Sequence, residues 1–362
     1  MIYSIIDETS EYLLKENIFS KFSDLEHELE DFEFFPAAFQ KASNLSIKTA
    51  KFKDQDKIDT FLLCDPPNLV YGHFSHPRLG KLTKLASSDS GELSKQLAQA
   101  QRPCFVILTN NVLAKIGIRE FRQITNRAEN CLFIIHDYDC HHWLQMSAQC
   151  ILLSDLYIPA HDTVGSMNRL LNTSHNPRIP IGSIQWDYEF LVSRIDLMCQ
   201  DERPVVIKGR HSQYSRFPFR NRLIATFNQH FREICFTDTI AFHQLSQLEK
   251  FADWHDTQLH FVAPVSTDVP IRVFDALVTG GIPVIPVSME SAVSEYGLSK
   301  QNFFTYGVSE IANPVDAVSE WVEIAKKRTY EEKFELISKS ISNFHIRNIT
   351  KRLFTHALQL IN

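Results

Sequence analysis

Three charged side chains recur at short intervals along an otherwise apolar segment in the second half of the sequence. The segment TDVPIRVFDALVTGGIPVIP runs from Thr267 to Pro286 and contains Asp268, Arg272 and Asp275. Offsets of four and three residues place these charged side chains on one face of a helix. A charged stripe on so apolar a helix predicts either a polar ligand on that side or an internal ion network that solvates the helix.

The start of this helix has the properties of an anion-binding site. Ser266, Thr267 and Asp268 are N-cap residue types, and the strand-like run LHFVAP comes just before them, so the helix is expected to begin at the carboxyl edge of a sheet. Free N–H groups and the helix dipole favour phosphate there, and Arg272 can add a charge-assisted contact. Asp275 can accept hydrogen bonds from ribose hydroxyls. These residues predict a nucleotide site.

A second group of basic residues follows the strand candidate RPVVIKG. Lys208 and Arg210 are expected just past the end of this strand, where fixed cations stabilise the negative charge that grows on a leaving phosphate or diphosphate. Arg216, Arg220 and Arg222 come next. For these three, the alternative is the exposed face of a helix.

Short apolar runs alternate with amphipathic segments of helical length along the chain. The strand candidates are MIYSII, TFLLCD, CFVILT, CLFIIHD, CILLSDLYIP, RPVVIKG, EICFTD, LHFVAP and IPVIPV. This alternation predicts an α/β protein with parallel sheets, and a proline-containing break near residues 176–203 divides it. We expect an N-terminal Rossmann-like domain (1–195), a C-terminal Rossmann-like domain (196–340) facing it across a cleft, and a final helix (341–362) that packs back across both. Residues 65–86 are predicted to form a loop.

The composition narrows the class of protein. The chain has 362 residues and a net charge of −6, without the basic stripe that a nucleic-acid-binding protein usually has. Seven irregularly spaced cysteines indicate a reducing compartment, and no apolar run is long enough to span a bilayer, so a cytoplasmic protein is expected. The basic amphipathic segment FHIRNITKRLFTHALQLI could contact the inner membrane peripherally or pack back across the domains.

Several segments, in order, resemble the GT-B glycosyltransferases. PIRVFDALVTGGIPVIP is similar to their donor-site segment, and Asp275 falls where the family has its ribose-binding glutamate. CLFIIHDYDCHHW, SDLYIPAHDTVGSMNRLL, IPIGSIQWDYEFL and PVVIKGR resemble other segments of that family, and GRHSQYSRFPFRNRLI resembles exostosin-like members. The resemblance covers most of residues 130–290. Two features depart from the family pattern. The glutamate pair of many retaining members is not intact, since Thr267 stands at the first position, and a glycine-rich loop near the N-terminus is missing.

The resemblance implies a group that deprotonates the acceptor hydroxyl or stabilises the sugar centre. Asp137 and His136 end a strand candidate at the carboxyl edge of the first sheet and have the right side chains, although they could instead cap the following helix. His76, in HFSHPR, is an alternative base or a surface histidine. His161, in IPAHD, is expected to reach the donor sugar or its phosphate.

Two metal-binding alternatives fall on the same stretch. Asp137 and Asp139 match the short DxD motif that binds metal in GT-A glycosyltransferases, but a second α/β half disfavours a single GT-A domain. His136 with Cys140, His141 and His142 could bind zinc, but the sequence lacks a second ligand cluster. We therefore expect no metal and no other cofactor beyond the nucleotide-sugar co-substrate.

The resemblance implies a metal-independent glycosyltransferase that moves a sugar from a nucleotide-sugar donor to a glycan or glycolipid acceptor, in bacterial polysaccharide or lipopolysaccharide assembly. A nucleotide-sugar epimerase or hydrolase and a non-catalytic nucleotide-sugar-binding protein are the alternatives on the same fold. UDP, GDP and CMP donors all remain open.

Overall fold

The computed structural model describes residues 45, 47–63, 76–85, 90–100, 102–138, 144–160, 178–200, 203–237, 244–265 and 268–361. Within these ranges the chain divides into two compact units. The described residues between 45 and 180, together with residues 350–361, form the N-terminal unit, and those between 181 and 349 form the C-terminal unit. No helix of the described ranges has the length and hydropathy that a membrane span requires.

The N-terminal unit contains a five-stranded parallel sheet in the order β2-β1-β3-β4-β5. Its elements are β1 (Ile58–Leu63), β2 (Leu79–Leu85), α1 (Ser90–Gln99), β3 (Cys104–Thr109), α2 (Asn110–Ile116), α3 (Ile118–Arg127), β4 (Cys131–Asp137), α4 (Leu144–Leu153) and β5 (Leu156–Pro159). Every residue of β3, β4 and β5 is buried. Their continuous apolar runs fit strands covered on both faces, which is the usual situation in a parallel sheet.

The C-terminal unit contains a second five-stranded parallel sheet, in the order β10-β9-β8-β6-β7. Its elements are α5 (Tyr188–Val192), α6 (Ile195–Met198), β6 (Val205–His211), α7 (Pro218–Asn228), β7 (Ile234–Phe236), α8 (Gln247–His255), β8 (Thr257–Phe261), α9 (Ile271–Val278), β9 (Ile282–Pro286), a 3-10 turn (Val287–Met289), α10 (Glu290–Glu295), β10 (Phe304–Tyr306), α11 (Val308–Ala312), α12 (Pro314–Lys326), α13 (Tyr330–Phe344) and α14 (Ile346–Leu360). One apolar cluster packs α7 and α12 on this sheet, and another packs α9 on it.

Three elements differ from those that the sequence predicts. The half-buried strand β2 lies inside the predicted loop 65–86, and the short strand β10 was not predicted. The run CILLSDLYIP is divided, because its first residues complete α4 and only Leu156–Pro159 form a strand. The strand candidate MIYSII lies outside the described residues.

The chain crosses between the units at residues 180/181 and again at 349/350. The sequence predicts boundaries at 195/196 and 340/341. The last helix, α14, begins in the C-terminal unit, and from Thr350 onward its residues belong to the N-terminal unit.

The two parts of the chain beside these crossing points pair with each other within the C-terminal unit. Residues 181–183 and 344–349, here called the crossing segments, form an isolated parallel bridge between Ser183 and His345. Gly182 has a φ of +70°, and a Cβ built on it would overlap the carbonyl oxygen of Phe344 and the side chain of Ile349. A glycine is therefore required both by the backbone conformation and by the close approach.

Gly182→Ala should destabilise the C-terminal unit more than Gly297→Ala. Gly297 has a similar φ of +86°, but no atom lies within 4 Å of its built Cβ. The shared backbone strain costs about 1 to 2 kcal/mol, and at residue 182 overlap with backbone raises the total to about 3 kcal/mol or more. Urea unfolding of both variants measures the difference. Equal losses of stability would contradict the close packing at Gly182.

Candidate functional site

The order of strands in the C-terminal unit places a topological switch point at the carboxyl ends of β6 and β8. These two strands are neighbours, and from them the chain leads to opposite sides of the sheet, to β7 at one edge and towards β9 and β10 at the other. Such a switch point is where open parallel sheets bind ligands. Helices α7 and α9 follow β6 and β8, so residues in their first turns are carried to this edge.

Arg272 lies in the first turn of α9 and is half-buried. Its guanidinium forms no hydrogen bond and no ion pair with any residue of the described ranges. Burial lowers the pKa of Arg272, and the fields of Tyr214, Asp275 and Asp268 oppose that shift. Because a guanidinium is far more basic than any group that titrates near neutrality, Arg272 stays charged at neutral pH. Its donors are therefore available to an anion.

Arg220, in the first turn of α7, is only 6% exposed, and each of its three guanidinium nitrogens contacts an acceptor of the protein. Nε donates to the carbonyl oxygen of Ala263 at 2.9 Å, and Nη1 donates to that of Ser212 at 2.8 Å. Nη2 lies 3.4 Å from Nδ1 of His211, and the guanidinium carbon lies 5.2 Å from the centre of the Tyr214 ring. These contacts hold Arg220 as a fixed positive charge.

The two arginines influence each other and His211 electrostatically. Burial and the field of Arg272 lower the pKa of Arg220 to about 10. Burial, followed by the fields of Arg272 and Arg220, lowers the pKa of His211 well below its ordinary value. His211 is therefore neutral at physiological pH, and its Nδ1 can accept from Arg220. Arg272, Arg220, His211 and Tyr214, with the first turn of α9, are called the anion site below.

Helix α9 begins later than the sequence predicts. Pro270 occupies the N-cap position and has no side-chain acceptor for the first N–H groups, while Val273 N–H donates to Pro270 O at 3.0 Å. Asp268 is buried and precedes the cap, and its N–H donates to Val265 O at 3.1 Å. Ser266 and Thr267, the other predicted caps, lie outside the described residues. The dipole of α9 therefore has its positive end beside Arg272.

Asp275 lies on the same helix as Arg272 but is only 1% exposed. Its Oδ1 accepts a hydrogen bond from Oγ of Ser183 at 2.7 Å. Burial raises the pKa of Asp275 to about 7, although the hydrogen bond from Ser183 and the charges of Arg272 and Lys250 act in the opposite direction. The predicted contact with a ribose remains a prediction, and its contact in the structure is with Ser183.

The prediction that Lys208 and Arg210 lie just past a strand is wrong, because β6 continues to His211. Both side chains reach Asp253 of α8, with Lys208 Nζ at 2.5 Å and Arg210 Nη2 at 3.3 Å from its Oδ1. Alternation along a strand explains this shared partner, since residues two apart face the same side of the sheet. Their charges are thus partly neutralised by Asp253 within the unit.

The two candidates at the end of β4 are completely buried in the N-terminal unit. Asp137 Oδ2 accepts a hydrogen bond from the Tyr157 hydroxyl at 2.7 Å. His136 Nε2 lies 2.9 Å from the carbonyl oxygen of Ile179, so this nitrogen is the donor. Both residues stand at the carboxyl edge of the sheet, as predicted. The contacts found for them are internal ones.

The remaining candidates are His76, His161 and the residues of the two metal alternatives. His76 precedes β2, and its Nδ1 accepts from the backbone N–H of Arg78 at 3.2 Å, so it stabilises a turn. His161 lies outside the described residues, as do Asp139, Cys140, His141 and His142 of the metal alternatives. Among the residues that the structure does describe, no three His, Cys, Asp or Glu side chains form a group suited to a metal ion.

His211 and Tyr214 are not among the site residues that the sequence predicts, and the sequence assigns no particular role to Arg220. One signal could have identified Arg220, because it comes two residues after Pro218, a residue typical of a first helical turn, downstream of a strand candidate. The burial of His211 depends on the neighbouring strand β8 and on Phe261, whose ring lies edge-on at 6.0 Å. Nothing in the local sequence indicates that contact.

Comparison with known proteins supports the fold. The chain is similar to an alpha-glucosyltransferase in complex with UDP-glucose and DNA containing an abasic site, with 8% identity, 84% of this chain and 99% of that chain covered, and a TM-score of 0.50. It is also similar to Anabaena HepE in complex with UDP-glucose, with 11% identity, 83% and 100% covered, and a TM-score of 0.50. No family model and no curated protein matches the chain. The predicted pair of Rossmann-like domains of the GT-B type is confirmed.

Asp275→Asn should change the pH dependence of stability. Because the folded pKa of Asp275 is about 7 and the ordinary value is near 4, the wild-type protein loses stability between these pH values as the pH rises. The variant keeps an acceptor for Ser183 but lacks this loss, so its stability relative to wild type should improve by about 2 kcal/mol between pH 5 and pH 8. Urea unfolding at both pH values is the measurement, with exposed Asp316→Asn as the control. The same pH dependence in both variants would exclude a raised pKa at Asp275.

Proposed function

We propose that this protein is a glycosyltransferase that uses a nucleotide-sugar donor, and that the anion site binds the donor's diphosphate. The observation that carries this proposal is the half-buried guanidinium of Arg272, which has no hydrogen-bond partner in the described ranges and lies in the field of a second arginine. Two neighbouring positive charges, one with free donors, favour a ligand with at least two negative charges.

A diphosphate matches the chemistry of this site. The planar fork of Arg272 can make two parallel hydrogen bonds to phosphate oxygens, and the N–H groups at the start of α9 can add more. Arg220 contributes mainly its charge, because each of its guanidinium nitrogens already contacts an acceptor of the protein, Ala263 O, Ser212 O or His211 Nδ1. When the bond from the sugar to the diphosphate breaks, negative charge grows on the leaving group, and fixed positive charge lowers the barrier.

The similar solved structures support a nucleotide-sugar as the ligand class. Both were obtained in complex with UDP-glucose, and nearly the whole length of each is matched by this chain. A shared fold alone does not determine the chemistry, so the assignment rests on Arg272 and its neighbours together with that likeness. The DNA in the first structure belongs to that protein, and the net charge of −6 here disfavours a nucleic-acid acceptor.

The proposal extends to the absence of a catalytic metal, the class of acceptor and the group that deprotonates the acceptor hydroxyl. We propose metal-independent transfer, since Arg272 and Arg220 supply the charge that a divalent ion supplies elsewhere. The proposed acceptor is a glycan or glycolipid of bacterial surface-polysaccharide assembly, at or near the cytoplasmic face of the membrane. Asp137, His136 and His76 are the candidate bases. Asp137 would have to exchange its hydrogen bond from Tyr157 to act.

Arg272→Gln should weaken nucleotide binding by at least about tenfold, because a charge-assisted hydrogen bond is worth about 1.5 to 3 kcal/mol. The measurement is a thermal-shift titration of the full chain with UDP, GDP, CMP and ADP, in which a bound ligand raises the apparent stability. Arg232→Gln is the matched control, because Arg232 is exposed and precedes β7 at the opposite edge of the sheet. If the wild-type protein binds none of these nucleotides, or if both variants bind them equally well, the assignment of the site is wrong.

Activity should survive EDTA. The measurement is release of the nucleoside diphosphate from a nucleotide-sugar, with and without a glycan acceptor, before and after chelation. Loss of activity that Mg²⁺ or Mn²⁺ restores would contradict metal-independent transfer. Equal release without acceptor would favour a hydrolase, and binding without release would favour a non-catalytic nucleotide-sugar-binding protein.

A further inference from the structure

A buried hydrogen bond links the helix of the anion site to the segment at which the chain enters the C-terminal unit. Ser183 Oγ donates to Asp275 Oδ1 at 2.7 Å, and the two side chains are 0% and 1% exposed. Asp275 and Arg272 are three residues apart on α9, so both lie on the same side of that helix. A change in the position of Ser183 is therefore transmitted to the helix that carries Arg272.

Ser183 is in turn bonded to the segment at which the chain leaves the unit. Its N–H donates to Phe344 O at 2.7 Å, and its carbonyl oxygen accepts from Ile346 N–H at 2.9 Å. The adjoining side chains fix the same place. The rings of Phe274 and Phe344 lie 5.2 Å apart, and His345 Nε2 donates to Trp186 O at 2.9 Å. The two crossing segments and α9 thus form one packed and hydrogen-bonded assembly.

We propose that Asp275 is a positioning residue which, through Ser183, ties the orientation of Arg272 to the two crossing segments. The inference rests on the proposed function, since it takes Arg272 to be the anion ligand. Asp275 itself touches no ligand in this role. Anion binding at Arg272 rigidifies the crossing segments, and loosening of those segments weakens anion binding by the same factor, as thermodynamic linkage requires.

The charges around Asp275 make this link sensitive to protons. Arg272 on its own helix and Lys250 on α8 are the charged groups that act on its carboxylate, and both lower a pKa that burial raises to about 7. An anion beside Arg272 offsets part of that positive field, so Asp275 then holds a proton more readily. His211 is already neutral and does not change its charge between pH 6 and pH 8. Anion binding is therefore expected to take up a proton in this range.

The first test is hydrogen exchange of the full chain with and without inorganic sulfate, at constant ionic strength. Sulfate should slow exchange both in the first turn of α9 and at the amides of Ser183 and Ile346. In Ser183→Ala without sulfate, the amides of α9 should exchange at least about threefold faster than in wild type, because a buried hydrogen bond is lost. In Ser183→Ala, sulfate should no longer slow exchange at the amide of Ile346 as it does in the wild-type protein.

Ser340→Ala is the matched control. Ser340 is also buried in the C-terminal unit, but its hydroxyl donates to Leu336 O within its own helix. The same acceleration of α9 in both serine variants, or none in Ser183→Ala, would overturn the inference. If sulfate does not bind the wild-type protein, the proposed function fails, and the sulfate-free comparison of the two variants still decides whether Ser183 positions α9.

The second test is the pH dependence of sulfate affinity, chosen because sulfate keeps its charge between pH 6 and pH 8. Wild-type affinity should fall by about threefold or more across this range, since protonated Asp275 favours the bound state. Asp275→Asn should bind with an affinity that varies little with pH, while Asp316→Asn should behave as wild type. A pH dependence that Asp275→Asn retains would overturn the role assigned to Asp275.

Discussion

The C-terminal unit brings two arginines of like charge into each other's field, and of these two only Arg220 has hydrogen-bond acceptors among the described residues. Arg220 is held by two carbonyl oxygens and the Tyr214 ring, whereas Arg272 makes no hydrogen bond with any residue that the structure describes. Half-buried positive charge without a partner costs stability. A bound anion would offset this cost. The neutral state of His211 avoids a third positive charge at the same place.

The parallel sheet explains how residues distant in sequence reach this position. Strands β6 and β8 are neighbours although β7 and α8 lie between them in the chain, and the helices that follow them start at the same edge. The fold thus supplies the geometry, and a few side chains supply the chemistry. Lys208 and Arg210 lie within β6 and not beyond its end. Their side chains therefore leave the sheet on one face, where both contact Asp253 of α8.

Much of the fold could be predicted from the sequence, because the buried strands are continuous apolar runs. The strand β2 was missed since LGKLTKL is half-buried at a sheet edge and follows a stretch rich in proline and glycine. The contacts that surround the candidate site could be predicted less well. Arg272 follows from helical spacing alone, but the burial of Arg220 and the bond between Ser183 and Asp275, 92 residues apart, depend on tertiary packing that no local pattern encodes.

The path of the chain has a consequence for its biosynthesis. Residues from 350 onward belong with the N-terminal unit, although the whole C-terminal unit separates them from it in sequence. On the ribosome, that unit cannot be completed when its sheet emerges, because its helical residues from 350 onward are translated after the whole C-terminal unit. Ile349 and Thr350 lie within one helix, so no truncation can separate the two units at this point without cutting α14.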